Sequence, residues 1–357
     1  CPDAELDNAI AGCIRPFDPA RAPLFRCTLI RTAGGRNVLV ADFHHLICDG
    51  MSQLILYNDF WRLYHGETLP PTRVQPKDYG EWERTFRSGE EYIAHREFWL
   101  QRLEGQLPRL DLPVTGQGRP ETAGEGGSLA FSVGRSTLAP LLALYREREI
   151  TPFSGLFSLY LMFLSQLTGQ EDLVVGVAAS GRLQEELEDV VGMFVKTLPI
   201  RYQLNPEVTY EAYVQDLHKY LVQANSRQLY DLGSIVGELG GRLAGGRGLF
   251  ETLFVFQNFG SAAHQTGNAQ FREYALESRQ AKYPLVLTAA EAGEAFTFRL
   301  EYQFACFTPA DARLLADQFT ALLENAARNC GARVASIIDG AGKPAWLAQN
   351  NDFAFNF

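Results

Sequence analysis

No apolar run in this chain of 357 residues reaches the length of a membrane-spanning helix. The most apolar window, residues 153–167, is broken by Ser154, Gly155, Ser158, Ser165 and Gln166. It falls short of the roughly 20 residues that a bilayer span needs. Nothing at the start resembles a secretory leader. The first residue is Cys1, so the sequence reads as a piece of something longer or as one whose true start is not shown. Cysteine is scarce and scattered, at positions 1, 13, 27, 48, 306 and 330, without a C-x-x-C pair. Reduced thiols in a cytoplasmic protein are therefore expected, and no metal site. Positive charge is in deficit, with 32 Lys and Arg against 42 Asp and Glu, a net charge of −10. That balance argues against a nucleic-acid surface. No G-x-S-x-G elbow occurs, which removes the usual serine hydrolase arrangement. The glycines near 240 and 245 lack the preceding strand and following lysine of a phosphate loop, so nucleotide binding is not expected.

What is present is an ordinary globular composition, 46% hydrophobic, in a chain longer than a single core usually supports. Proline and glycine accumulate from Leu107 to Gly127 while hydrophobic periodicity disappears. A lobe boundary is therefore expected near residues 113–127, giving a first lobe of 1–113 and a second of 114–338. Beyond Ile338 the tail, 339–357, reads as a linker to a following domain.

The first lobe centres on Phe43-His44-His45-Leu46-Ile47-Cys48-Asp49-Gly50-Met51-Ser52. Before it, Cys27–Arg31, a turn at 33–37 and Val38–Phe43 read as a hairpin arm. After it, Leu54, Tyr57, Trp61 and Tyr64 recur at helical spacing, with Ser52 suited to cap that helix. His45 thus sits where a rigid strand gives way to a loop, a common place for catalytic groups. Because strand side chains alternate, one histidine ring can pack inward and hold the loop while its neighbour faces a cavity.

Further on, Thr151-Pro152 starts a helix with Phe153, Leu156, Tyr160, Phe163 and Leu167 on its buried face. Asp172–Ala178 is a continuous apolar strand expected to be buried on both faces. Thr209 caps a helix to about Gln228. Thr308-Pro309 opens a last helix with Leu314, Leu315, Phe319 and Leu322 toward the core. Tyr79 and Trp82 fit a packed core better than chemistry.

The stretch His44-His45-x-x-x-Asp49-Gly50 matches the HHxxxDG signature of the condensation domains of nonribosomal peptide synthetases, a superfamily that includes chloramphenicol acetyltransferase-like acyltransferases. Arg15-Pro16-Phe17-Asp18 followed by Pro23-Leu24-Phe25-Arg26 is similar to the segment that precedes that signature. Tyr79 and Trp82 lie in a Y-x-D-(Y/F)-x-x-W-like element with Pro76 at its leading position. Val191-Gly192-Met193-Phe194-Val195-Lys196-Thr197 resembles VG-x-FVNT, with Lys196 in place of Asn. Residues 250–258 and Lys282-Tyr283-Pro284-Leu285 are similar too. Residues 227–233 and 242–246 depart from the family's wording.

The resemblance implies a mixed α/β fold built from α+β two-layer sandwiches. It implies two chloramphenicol acetyltransferase-like lobes in a V-shaped pseudo-dimer, the first lacking its N-terminal part. It implies amide bond formation between a donor acyl or peptidyl thioester and the amine of an acceptor aminoacyl thioester. Both substrates would be tethered to the 4'-phosphopantetheine arms of upstream and downstream peptidyl carrier proteins, with an adenylation domain adjacent and no cofactor held by the domain itself. His45 then becomes the catalytic histidine, as general base or as a group that positions the amine. Gly50 either offers its backbone N–H to the thioester oxygen or is a turn glycine with positive φ. Asp49 is expected to pair with Arg182 of the second lobe, with His44 also structural, and Asn258 and Ser52 to line a substrate tunnel. An epimerization domain and a non-catalytic recruiting domain of the same fold are the alternatives. The wording of 191–201 and the terminal linker favour condensation over the first, and the intact His45 over the second.

Overall fold

The computed structural model describes residues 1–113, 124–240, 248–257, 265–266, 269–270, 274 and 280–342. Contacts group the chain into two compact units, one of Cys1–Ser88, Ser180–Val195 and Ala262–Leu276, the other of Gly89–Ala179, Lys196–Ser261 and Glu277–Phe357.

In the first unit, a 3-10 turn at Asp3–Glu5 leads into helix α1, Leu6–Cys13. Leu6 and Ile10, four residues apart and therefore on one helix face, are its buried positions. The helix packs on an antiparallel hairpin of β1 (Phe25–Arg31) and β2 (Asn37–Phe43). The register sets Phe25 opposite Phe43 and Arg26 opposite Asp42. Helices α2 (Gly50–Tyr64) and α3 (Pro76–Phe86) follow. Tyr79, Leu187, Val190 and Phe194 form a small core with Val74 against it. Two expectations fail here. Trp82 is 40% exposed, stacked on Tyr79 and Phe86 at the surface rather than buried. Tyr64 is 63% exposed, whereas Trp61, one step earlier on the same face, is 8%.

The second unit is built on helix α4 (Glu90–Arg102) and a six-stranded mixed sheet. Its strands are β3 (Gly126–Gly134), β4 (Asp172–Ala179), β5 (Lys196–Gln203), β6 (Thr252–Gln257), β7 (Leu285–Ala292) and β8 (Ala295–Gln303), in spatial order β3-β8-β7-β6-β4-β5. The pairs β4–β6 and β6–β7 are parallel and the rest antiparallel. Helices α5 (Ala139–Glu147), α6 (Pro152–Thr168), α7 (Tyr210–Asn225), α8 (Leu232–Leu239), α9 (Pro309–Arg328) and α10 (Val334–Gly340) complete it. Residues Leu173–Val177 of β4 are buried throughout, as their unbroken apolar pattern predicts.

Local chemistry sets the ends of these helices. Thr151 Oγ1 accepts the Ser154 N–H at 3.2 Å, Pro152 opens α6, and Gly169 closes it at φ 72°. Thr308 and Asp311 form a reciprocal capping box at the start of α9. Asp231 caps α8 by accepting the Ser234 N–H at 2.9 Å, which gives the segment that departs from family wording a structural use.

A boundary near residue 113 is what the sequence predicts; contacts group the residues before it as follows. Gly89–Pro113 group with the second unit because α4 packs on α8, with Arg96 paired to Glu238 and the Trp99 indole N–H donated to the Arg227 carbonyl at 2.9 Å. Ser180–Val195 group with the first unit, although both neighbours in sequence are strands of the second.

On α9, Leu314 is 43% exposed while Leu315 is fully buried, so Leu314 lies off the core face that Ala312, Leu315, Phe319 and Leu322 form. Leu315→Ala is expected to cost about 2–5 kcal/mol. Leu314→Ala should stay within about 0.5 kcal/mol. Urea unfolding of the two variants checks this, and equal costs would contradict the assigned face.

Candidate active site

The β-ladder ends at Phe43, whose successor His44 donates its N–H to the Leu24 carbonyl at 2.9 Å. Residues 44–48 form a turn, closed by the Ile47 N–H on the His44 carbonyl at 3.1 Å. The two histidines therefore sit in a turn and not in the pleat of a strand. His44 is half-buried, and its Nδ1 accepts the Leu46 N–H at 3.1 Å. His45 is exposed, and its Nδ1 lies 2.9 Å from the Cys48 carbonyl. A carbonyl only accepts, so Nδ1 of His45 carries the proton and its Nε2 keeps a lone pair.

Asp49 ends the turn and caps α2. Its Oδ1 accepts the Ser52 N–H at 2.8 Å, and its Oδ2 accepts the Phe194 N–H at 3.0 Å and the Val195 N–H at 3.3 Å. Arg182 Nη2 lies 3.2 Å from Oδ1, and both side chains are almost fully buried, at 4% and 2% exposure. The other end of the guanidinium donates to the Leu187 carbonyl and, at 2.7 Å, to the Val190 carbonyl, and it stacks on the Phe194 ring at 4.4 Å. Ser52 Oγ accepts from Gly192 N–H at 2.9 Å and from Arg182 at 3.0 Å. Its one proton goes to Asp49 Oδ1 or the Gly192 carbonyl, each 2.7 Å away.

Burial alone pushes the Asp49 carboxyl up. The N–H groups of Phe194 and Ser52, the Ser52 hydroxyl and the Arg182 charge outweigh it and hold the carboxyl below its ordinary range. Cys48, buried beside this carboxylate, has its thiol pushed up by burial and by the Asp49 charge.

Gly50 is the first residue of α2, exposed and without positive φ, so its backbone does not demand glycine as a turn would. As an N-terminal helical N–H, it has no partner in the i−4 ladder. Ser52 is fully buried in the Asp49–Arg182 cluster, so it lines no passage, contrary to expectation. Arg182 meets Asp49, but inside the first unit and not from a second lobe. Asn258 lies outside the described residues. Among the described residues, no group of three or more His, Cys, Asp or Glu could hold a metal ion, and no helix is long and apolar enough to cross a membrane.

Sequence reasoning missed Gly192, Phe194 and Val195 as partners of the turn. The V-G-x-F wording marks them as family-like without giving them a role. Strand β5 begins only at Lys196, and residues 192–195 present backbone groups to Asp49 and Ser52.

With this geometry in view, the family model described as Condensation domain matches residues 3–338. The chain is 36% identical over 308 residues to surfactin synthase subunit 1 of Bacillus subtilis (strain 168), covering 86% of this chain and 9% of that protein. To bacitracin synthase 1 of Bacillus licheniformis it is 32% identical over 323 residues, covering 90% of this chain and 6% of that protein. Among solved structures, the X-domain from teicoplanin biosynthesis superposes with a TM-score of 0.81 at 19% identity, covering 94% of this chain and 79% of that one. The first condensation domain of the calcium-dependent antibiotic synthetase, in complex with a substrate analogue, gives 0.76 at 18%, covering 94% and 74%. This chain belongs to the condensation-domain family. It spans under a tenth of the length of those two synthases.

Removing the carboxylate leaves the Arg182 charge buried and unpaired. Asp49→Ala is therefore expected to cost about 3–5 kcal/mol in urea unfolding; a soluble, fully stable and active variant would contradict the role. Because the folded state depresses the Asp49 pKa, its contribution is complete above the unfolded value, about 3.9, and is lost as pH falls through the lower folded value. Stability followed from pH 6 to 2 should drop less in Asp49→Asn than in wild type.

Proposed function

We propose that this chain forms an amide bond between a donor acyl or peptidyl thioester and the amine of an acceptor aminoacyl thioester, both carried on phosphopantetheine arms of carrier proteins. The observation that carries the reading is the exposed His45 imidazole, anchored by Nδ1 to the Cys48 carbonyl, which leaves the lone pair of the neutral ring on Nε2.

The acceptor nitrogen attacks the thioester carbonyl carbon, and Nε2 of His45 takes the proton that the amine loses. A C–N bond forms, and a tetrahedral oxyanion develops. The Gly50 N–H, at the positive end of α2, donates to that oxygen. Collapse breaks the C–S bond, and the proton held by His45 passes to the departing sulfur. The domain itself supplies general-base and electrostatic assistance and holds no cofactor. Upstream and downstream peptidyl carrier proteins, with an adjacent adenylation domain, are the proposed partners, and the cytoplasm is the proposed compartment.

The test loads two carrier proteins with candidate thioesters and follows transfer by mass spectrometry. His45→Ala is expected to lower kcat by about 10²–10⁴-fold, the usual share of a general base. An equally active variant would remove the assignment. Solvent deuterium entering the α-carbon of a single carrier-bound substrate, without amide formation, would put epimerisation in its place.

A further inference from the structure

The segment before β1 folds back onto the histidine turn. Arg26, on β1, sets its Nη2 3.3 Å from Oδ2 of Asp42, its register partner on β2, and donates to the Arg15 carbonyl. Its guanidinium carbon lies 3.7 Å from the centroid of the Phe17 ring, a close cation–π contact. Phe17 in turn meets the His44 ring at 6.1 Å with an interplanar angle of 82°, an edge-to-face pair. The column Arg26–Phe17–His44 thus ends on the residue next to His45.

His44 Nδ1 accepts the Leu46 N–H, so its proton belongs on Nε2, while His45 carries its proton on Nδ1. Adjacent imidazoles hold opposite tautomers, and each bond fixes one side of the same turn. A rotation of the His44 ring would release the Leu46 N–H and loosen the loop from which the His45 Nε2 projects. The column opposes that rotation. It does so at some expense to itself, since Arg26 Nε is buried without a hydrogen-bond partner and Asp42 Oδ2 has only its ion-pair contact with Arg26 Nη2. An arrangement selected for stability alone would satisfy those groups.

We propose that Phe17 and Arg26 are positioning residues for His45, acting through the His44 ring. The proposal rests on the reading of His45 as the base, and its test separates the two. In the full chain with ring-¹⁵N-labelled histidine, nitrogen shifts report each tautomer, and His44→Gln and His45→Gln assign the two signals. Phe17→Leu removes the ring but keeps apolar bulk. It is expected to convert His44 from its single Nε2–H form to a mixture of tautomers. With carrier-bound substrates, kcat should fall about tenfold through misplacement of the base while KM holds. Phe17→Tyr, which retains the ring, should restore both readouts, and Arg26→Met should repeat the loss should Phe17→Leu fail to fold. An active wild type whose His44 signal and kcat are unmoved by Phe17→Leu and Arg26→Met overturns the column. A wild type that forms no amide, with His44 still shifting in the variants, overturns the base assignment instead.

Discussion

A carboxylate sealed from water, with its charge met on every side, is the constraint on which the site depends. Asp49 accepts three backbone N–H groups, one of them from the helix it caps, and faces the Arg182 guanidinium. Burial opposes the ionised form, and each of these donors favours it. Buried ion pairs commonly add little to net stability, because desolvation consumes much of their attraction. Their use is to specify geometry. This one favours one arrangement of the turn at 44–49, the start of α2 and residues 182–195, because displacing it strips partners from the Asp49 charge and from the N–H groups of Ser52, Phe194 and Val195.

Ser52 makes the arrangement cooperative. A single hydroxyl touches Asp49, Arg182 and both backbone groups of Gly192. Every bond in the cluster shares an atom with another, and deleting one member exposes the rest. His45 and Gly50, both exposed, lie on either side of the turn that the cluster holds. The column of Arg26, Phe17 and His44 supports the same turn from the side of the hairpin. A densely hydrogen-bonded interior beneath exposed His45 is a suitable base for proton transfer.

Much of the second unit is legible from periodicity and capping. The caps Thr151, Thr209 and Thr308 stand where the wording of the sequence puts them, since an N-cap is a local interaction between neighbours in the chain. The continuous apolar run of β4 also follows from composition. The Asp49–Arg182 pair comes from family resemblance, and no spacing rule could supply it across 133 residues. Division into units escapes the sequence for the same reason. Gly and Pro predict a boundary near 113–127, but which unit α4 joins depends on its contacts with α8. Spacing places Trp82, Tyr64 and Leu314 inward, yet they lie at the surface, because the neighbours that would cover them are set by tertiary packing.

If the buried cluster serves His45, the two must be energetically coupled, and a double-mutant cycle on kcat reads that coupling. Asp49→Asn, His45→Gln and the double variant are compared with wild type in amide formation between carrier-bound substrates, each checked for folding by circular dichroism. The account predicts strong non-additivity: once the imidazole is gone, losing the Asp49 charge costs little more. Fully additive losses would mean that the cluster holds the fold without holding the base, and would contradict the account.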